Sequence, residues 1–216
     1  MRRVNPLSLP LAKALVGVAS LAVVVALRIW MTAGGGAETA GVTGNHIARV
    51  PEVYGRLPLS FEANYGQTDS RVKFLSRGSG YTLFLTSTEA VFILGKAEAT
   101  SETVLRMTVV GANAASAITG LEALPGTVNS FIGGDPSTWR TNIPSYARVK
   151  YQNVYPGVDL IYYGNQRRLE YDFVVAPGGD PNAIELAFEG AMDIERDASG
   201  DLVVRTAGGD LHMHKF

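Results

Sequence analysis

The chain of 216 residues contains no cysteine. No disulfide framework braces it, so its fold must rest on a hydrophobic core, and thiol catalysis and thiolate-bound metal are excluded. Histidine is almost as scarce, with His46, His212 and His214 making up the whole complement. A serine, histidine and acid triad would have to recruit a chain terminus, which makes hydrolysis of that type a poor fit. His212 and His214 would share one face of a strand, but a zinc or copper site needs a third ligand. Charged residues reach only 18%, and past the N-terminus no basic run is present to neutralise phosphates, so no nucleic-acid partner is expected. G-x-S-x-G, P-loop and dinucleotide fingerprints are missing too. The glycine-rich Ser76–Gly80 precedes a strand pattern, whereas a phosphate-binding loop opens a helix.

What is present begins with the N-terminus. Arg2, Arg3 and Lys13 precede a 14-residue apolar run, Ala14 to Leu27, which matches the charged and hydrophobic regions of a secretory signal. The run is short of the about 20 residues that span a bilayer. Gly35 and Ala37 suit cleavage after Ala37, while Arg28 followed by Ile29, Trp30 and Met31 leaves an uncleaved anchor as the alternative. Residues 1–37 are therefore expected to form a signal peptide or signal-anchor helix, 38–56 a linker and arm, and 57–216 a β-rich domain. Without the first 37 residues, 15 basic side chains face 20 acidic ones, a mildly acidic balance.

From Leu57 onward, short apolar or alternating runs are closed by Gly, Pro, Asn and Asp at short intervals. The runs are RVKFLS, YTLFLTS, AVFIL, VLRMTVV, ARVKYQ, VDLIYYG, LEYDFVVA, IELAFEG, DLVVRT and DLHMHKF. They predict an all-β fold, a β-sandwich or irregular barrel of about ten short, mostly antiparallel strands. LRMTVVGAN and IELAFEGAM alternate alike and end alike, too briefly to make a repeat. Asp193, Asp197 and Asp201 do not match the spacing of a helix-loop-helix calcium loop, and Asp197-Ala-Ser-Gly reads as the turn of a hairpin.

The segment Asp159–Phe173 reads as two strands folded about Asn165-Gln166. Matching apolar side chains across that turn predicts Val158 opposite Phe173 and Tyr162 opposite Leu169, which sets Asp159 against Asp172 with Glu170 diagonal to Asp159. Facing carboxylates need compensation. Asp159, Glu170 and Asp172 are thus candidate ligands for calcium, the only cofactor suggested and not a required one, or candidate carboxylates for glycoside hydrolysis. The plain alternative is a salt-bridged network with Arg140, Arg148 or Lys150. Six tyrosines and Trp139 also crowd into residues 139–171. Trp139, Tyr151 and Tyr163 are candidates for stacking on sugar rings, although such a cluster is more often a core whose hydroxyls tie down loops.

Three long stretches carry a resemblance: LPLSFEANYGQTDSRVKFLSRGSGYTLFLTSTEAVF, VNSFIGGDPSTWRTNIPSYARVKYQNVYPGVDLIYYGNQRRLEYDFVVAPGGDP and GDLVVRTAGGDLHMHK. Together they resemble the uncharacterised β-rich domain that precedes SBBP-type β-propeller repeats in large secreted bacterial proteins, over about Leu57 to Lys215. Tyr65 departs from the Gln or Arg expected in EANYGQ. The chain ends at Phe216 where the family would run on into propeller repeats, so either a domain shortened at its C-terminal end or an isolated module is expected. The resemblance implies an extracytoplasmic module of a surface or secreted protein, with adhesion or carbohydrate contact as its role. The expectation is a non-catalytic structural or binding module whose partner is a carbohydrate or a cell-envelope protein. The rival expectations are a carbohydrate-active enzyme using Asp159, Glu170 and Asp172, and a domain anchored in the inner membrane by a retained N-terminal segment.

Overall fold

In a computed structural model of the chain, the residues described are 23–32, as backbone, with 59–78, 80–94, 103–165 and 168–215. The expected linker at 38–56 lies outside them, as does most of the expected signal segment. The described residues form one antiparallel sheet of fourteen strands and two single-turn 3-10 segments. The all-β expectation holds. The sheet curls into a half-barrel, closer to the irregular barrel than to a flat sandwich.

Its organiser is the 16-residue β8 (Arg140–Tyr155). One side of β8 pairs along β7 (Ala117–Ser130). The other side is shared. Ser145 and Tyr146 pair with β2 (Phe61–Ala63), and Arg148 to Tyr155 pair with β9 (Val158–Asn165). One wing continues from β2 through β3 (Phe74–Gly78), β4 (Tyr81–Leu85), β5 (Glu89–Leu94) and β6 (Thr103–Val109) to β11 (Leu186–Glu189). The other continues from β9 through β10 (Arg168–Val175), β1 (Val23–Thr32), β14 (Gly209–Lys215) and β13 (Leu202–Thr206) to β12 (Asp193–Arg196).

The far ends of the wings, β11 and β12, are consecutive in sequence and joined only by Gly190–Met192. So short a link holds those ends within about 14 Å of each other, and the sheet has to curl. Gly190 makes the passage possible, with φ +92° and the place of its missing Cβ 2.2 Å from the Val104 carbonyl oxygen. β6 and β11, the two segments of like pattern, turn out to pair with each other, Leu186 opposite Val109.

Alternation explains what each strand buries. Tyr81, Leu83 and Leu85 of β4 point inward while Thr82 and Phe84 are half-buried, and Leu105, Met107 and Val109 of β6 follow the same rule. One core spans both wings, from Phe61, Leu83 and Phe92 to Tyr162, Tyr171, Val204 and Met213. All ten expected strands are present. The hairpin at Asp197 also forms, its carboxylate accepting from the N–H groups of Ser199 and Asp201 at 2.8 and 3.0 Å.

Over Val23–Thr32 the chain is extended, where a signal or anchor helix was expected. The run of Val23, Val24 and Val25 suits a strand, because β-branched side chains pack well on a pleated surface. Among the described residues no helix is long and apolar enough to cross a membrane.

Gly190 and Gly200 separate two costs. Gly200 has φ +86° and open space around it, so Gly200→Ala should lower stability by about 1 kcal/mol through backbone strain alone. Gly190→Ala adds the overlap with Val104 and should cost about 3 kcal/mol or more, read as a larger fall in the urea midpoint.

Candidate functional site

The β9–β10 hairpin is built two residues out of the expected register. Asn165 pairs with Arg168, Tyr162 with Tyr171 and Asp159 with Val174. Asp159 and Asp172 are therefore not opposite each other. A shift of two leaves every side chain on its own face, so apolar matching alone could not choose between the registers. The observed one adds a fourth core pair, Gly164 with Leu169. Gly164 has to be glycine there, since its missing Cβ would lie 2.4 Å from Cβ of Leu59.

The carboxylates of the outer face have structural partners. Asp159 makes an ion pair with Lys150 of β8 at 2.8 Å. It also accepts from the backbone N–H of Asn153 at 2.8 Å, a residue with φ +53° inside the irregularity between Tyr151 and Tyr155. One carboxylate thus neutralises a lysine and caps a bulge. Burial works to raise the pKa of Asp159, but the bonds from Lys150 and Asn153 outweigh it and hold the group below the ordinary value. Arg148 is drawn to Glu122 at 3.0 Å, and its guanidinium lies 5.4 Å from the centre of the Tyr163 ring.

Glu170 is only 3% exposed and accepts from Nδ2 of Asn165 at 3.1 Å. The Tyr163 hydroxyl is hydrogen-bonded to Asp172 and Glu170, and burial, together with those two negative charges, pushes its pKa up. Among the described residues no three His, Asp or Glu side chains gather closely enough to hold a metal ion. Asp159, Glu170 and Asp172, the candidate calcium ligands, are accordingly not gathered into a three-ligand cluster. Asp159 forms the ion pair with Lys150 that the salt-bridged alternative named, while Glu170 meets Asn165 and Tyr163, and Asp172 meets Tyr163.

The three candidate aromatic residues separate. Tyr151 is 3% exposed and its hydroxyl donates to the Thr86 carbonyl at 2.7 Å, so no sugar can stack on it. It starts a buried row, Tyr151 to Tyr162 to Tyr171 to Phe173, with ring centres 5.7 to 6.0 Å apart. Tyr163 is half-buried beneath Arg148. Trp139 alone stands out in solvent, 40% exposed.

Around Trp139 the structure assembles residues that the sequence reading did not select. The loop from β7 to β8 carries Phe131 and Ile132, both about 60% exposed. Phe131 meets Trp139 edge to face at 5.2 Å. The loop is held rigidly. Asp135 caps the turn Pro136–Thr138 by accepting from the Ser137 N–H at 2.9 Å, and Nε1 of Trp139 donates to Gly133 at 3.3 Å. Arg140 then ties this loop to a second one, donating to the carbonyls of Ser137 and Trp139 and, at 3.0 Å, to that of Tyr65, whose ring is also exposed. Between the two loops lies a shallow cleft of about 300 Å³ lined by Gln67, Ser130, Ile132, Gly133, Asp135 and Thr138, among others. An exposed apolar pair beside a glycine-rich turn, Phe131-Ile132-Gly133-Gly134, was the available signal.

A family model for a domain of unknown function, DUF7948, matches residues 61–216. The chain belongs to this family. No curated protein and no solved structure matched it. The DUF7948 match covers thirteen of the fourteen strands, from β2 to β14, and includes both loops of the aromatic tip.

The Asp159–Lys150 pair predicts an acid-sensitive contribution. Because the folded-state pKa of Asp159 is lowered, its contribution is complete above the ordinary carboxylate pKa of about 4 and is lost as pH falls through the folded value. Asp159→Asn should cost about 1 kcal/mol at pH 7, and the gap from the parent should shrink as pH drops below about 4, checked by urea unfolding across that range.

Proposed function

We propose that this DUF7948 domain is a non-catalytic binding module of an extracytoplasmic protein, and that it binds carbohydrate of the cell envelope through the tip formed by Phe131, Ile132, Trp139 and Tyr65. The single observation that carries this reading is the fixed, exposed pair Phe131–Trp139 beside a cleft with polar walls from Gln67, Ser130, Asp135 and Thr138. An apolar platform next to hydrogen-bonding groups is the combination a sugar ring requires, apolar on its faces and polar at its rim. The Arg140 brace lowers the entropy lost on binding, since the loops are already held.

A place outside the cytoplasm is supported by Arg2, Arg3 and Lys13 ahead of an apolar run and by the absence of cysteine. The three stretches that resemble the domain preceding SBBP-type propeller repeats support a position in a longer secreted or surface protein. In favour of a non-catalytic role, Glu170 is sealed from solvent and Asp159 is engaged by Lys150, which leaves neither free to act on a glycosidic bond.

The test is binding to soluble cell-wall oligosaccharides by calorimetry. Trp139→Ala and Phe131→Ala should each weaken binding about tenfold or more, while leaving the melting temperature nearly unchanged because both rings are exposed. Binding unaltered by either substitution would remove the tip from the reading. Loss of binding to a purified envelope protein in place of a glycan would reassign the same tip to a protein partner.

A further inference from the structure

We infer that the space between β10 and β14 is a strand-binding site whose ligand is an extended apolar peptide with one basic residue, occupied in this structure by the chain's own Val23–Thr32. The site is distinct from the aromatic tip and does not rest on the tip's function.

The backbone pairing comes first. Val23 to Arg28 pair antiparallel with Val175 to Glu170 of β10, and Leu27 to Thr32 pair antiparallel with Lys215 to Asp210 of β14. β1 is the only hydrogen-bonded connection, among the described residues, between β10 and the meander β12–β13–β14. Without it, two strand edges would open side by side in the middle of the sheet. Such edges are the groups an added strand satisfies.

The side-chain pattern then specifies the occupant. Val23, Val25 and Leu27 stand at register positions opposite Val175, Phe173 and Tyr171, all buried. Ile29 and Met31 stand opposite Met213 and Leu211, also buried. One parity of the run, positions 23, 25, 27, 29 and 31, thus stands throughout at the register of buried residues of both neighbours. At the alternate positions Val24 and Trp30 are apolar too, opposite Val174 and His212. Ala26, a small residue, is opposite Asp172, and Arg28 is opposite Glu170. Glu170 is a buried carboxylate, and a cation at the register position opposite it suits its negative charge. A slip of one residue would move Arg28 to the core register and forfeit both matches.

The residues that fill the slot are also those read as an export signal. Retention as β1 and release by cleavage are alternative fates of one segment, and a chain cleaved after Ala37 presents the slot to a strand of the same chemistry.

The experiment uses the full chain with a protease site placed within residues 38–45, cut after folding. The N-terminal fragment should stay bound through gel filtration. Amide exchange over 170–175 and 210–215 should remain as slow as in β4 and β5, rising about 100-fold once the fragment is stripped away. A synthetic peptide of Val23–Thr32 should restore the protection. The Arg28→Glu peptide should bind about 100-fold more weakly, and the Arg28→Lys peptide nearly as well as the parent. Spontaneous loss of the fragment with unchanged exchange in both segments would overturn the site. Equal binding of the Arg28→Glu peptide would overturn its selectivity for a cation. The peptides are added to one stripped protein, so their comparison does not depend on separate variant chains folding, and Trp139→Ala should alter none of these readings.

Discussion

The three residues between β11 and β12 are the constraint on which the rest of the structure depends. They bring together the two ends of a sheet that is otherwise continuous, and a sheet whose ends meet must enclose its apolar face. Everything inside follows from that closure. Gly208 of the β13–β14 turn lies so close to Leu94 and Thr103 that a Cβ would meet Cβ atoms of both at about 3 Å, so the two wings touch across the opening as well as at the link. The core in between is continuous because neither wing has a second layer of its own to pack against.

Closure also decides how polar groups are treated. Tyrosines supply much of the bulk between the wings, and two of them, on β8, send their hydroxyls to carbonyls of the wing that runs from β2 to β11. Tyr151 of β8 reaches Thr86 and Tyr155 reaches Val110. These bonds fasten β8 to the turns that flank β5 and β6, at a net gain of roughly 1 kcal/mol each. Charges are kept to the outer face or paired where they are buried, as Glu62 is with Arg77 and Asp159 with Lys150. The outer carboxylates fit this role in the fold. Asp159 lets β8 carry a left-handed Asn153 without leaving that residue's N–H unpaired.

Much of the fold was legible in the sequence because alternating runs and turn residues are local signals. The four strands left out explain the limit. β7 contains Gly120, Pro125 and Gly126, which read as punctuation, yet it holds as the long partner of β8 through irregular pairing. β2 and β12 are three and four residues long, too short for periodicity. β1 was masked by uniform hydrophobicity, which signals a membrane or export segment as readily as a strand. The register of β9 and β10 failed for a different reason. Apolar matching fixes which face a side chain takes, but a slip of two satisfies it equally, and the deciding contact, Leu59 over Gly164, is remote in sequence. The site was less legible still. Of the candidates, Trp139 keeps the exposure expected of it, because Phe131, Tyr65 and Arg140 are gathered around it only once β7, β8 and the loop after β2 are in place.

One sequence can satisfy two codes because the codes ask for different things. An export signal asks for basic residues and then a short apolar stretch, without regard to which residues alternate. A core strand asks for apolar residues at every second position and tolerates a charge on the face turned from the core. Val23–Thr32 meets both, with Val23, Val25, Leu27, Ile29 and Met31 at the core register and Arg28 at the other. The charge that makes the stretch a poor membrane span is the one that stands opposite a buried glutamate. A residue that weakens one reading of the segment is thus what gives the other its specificity.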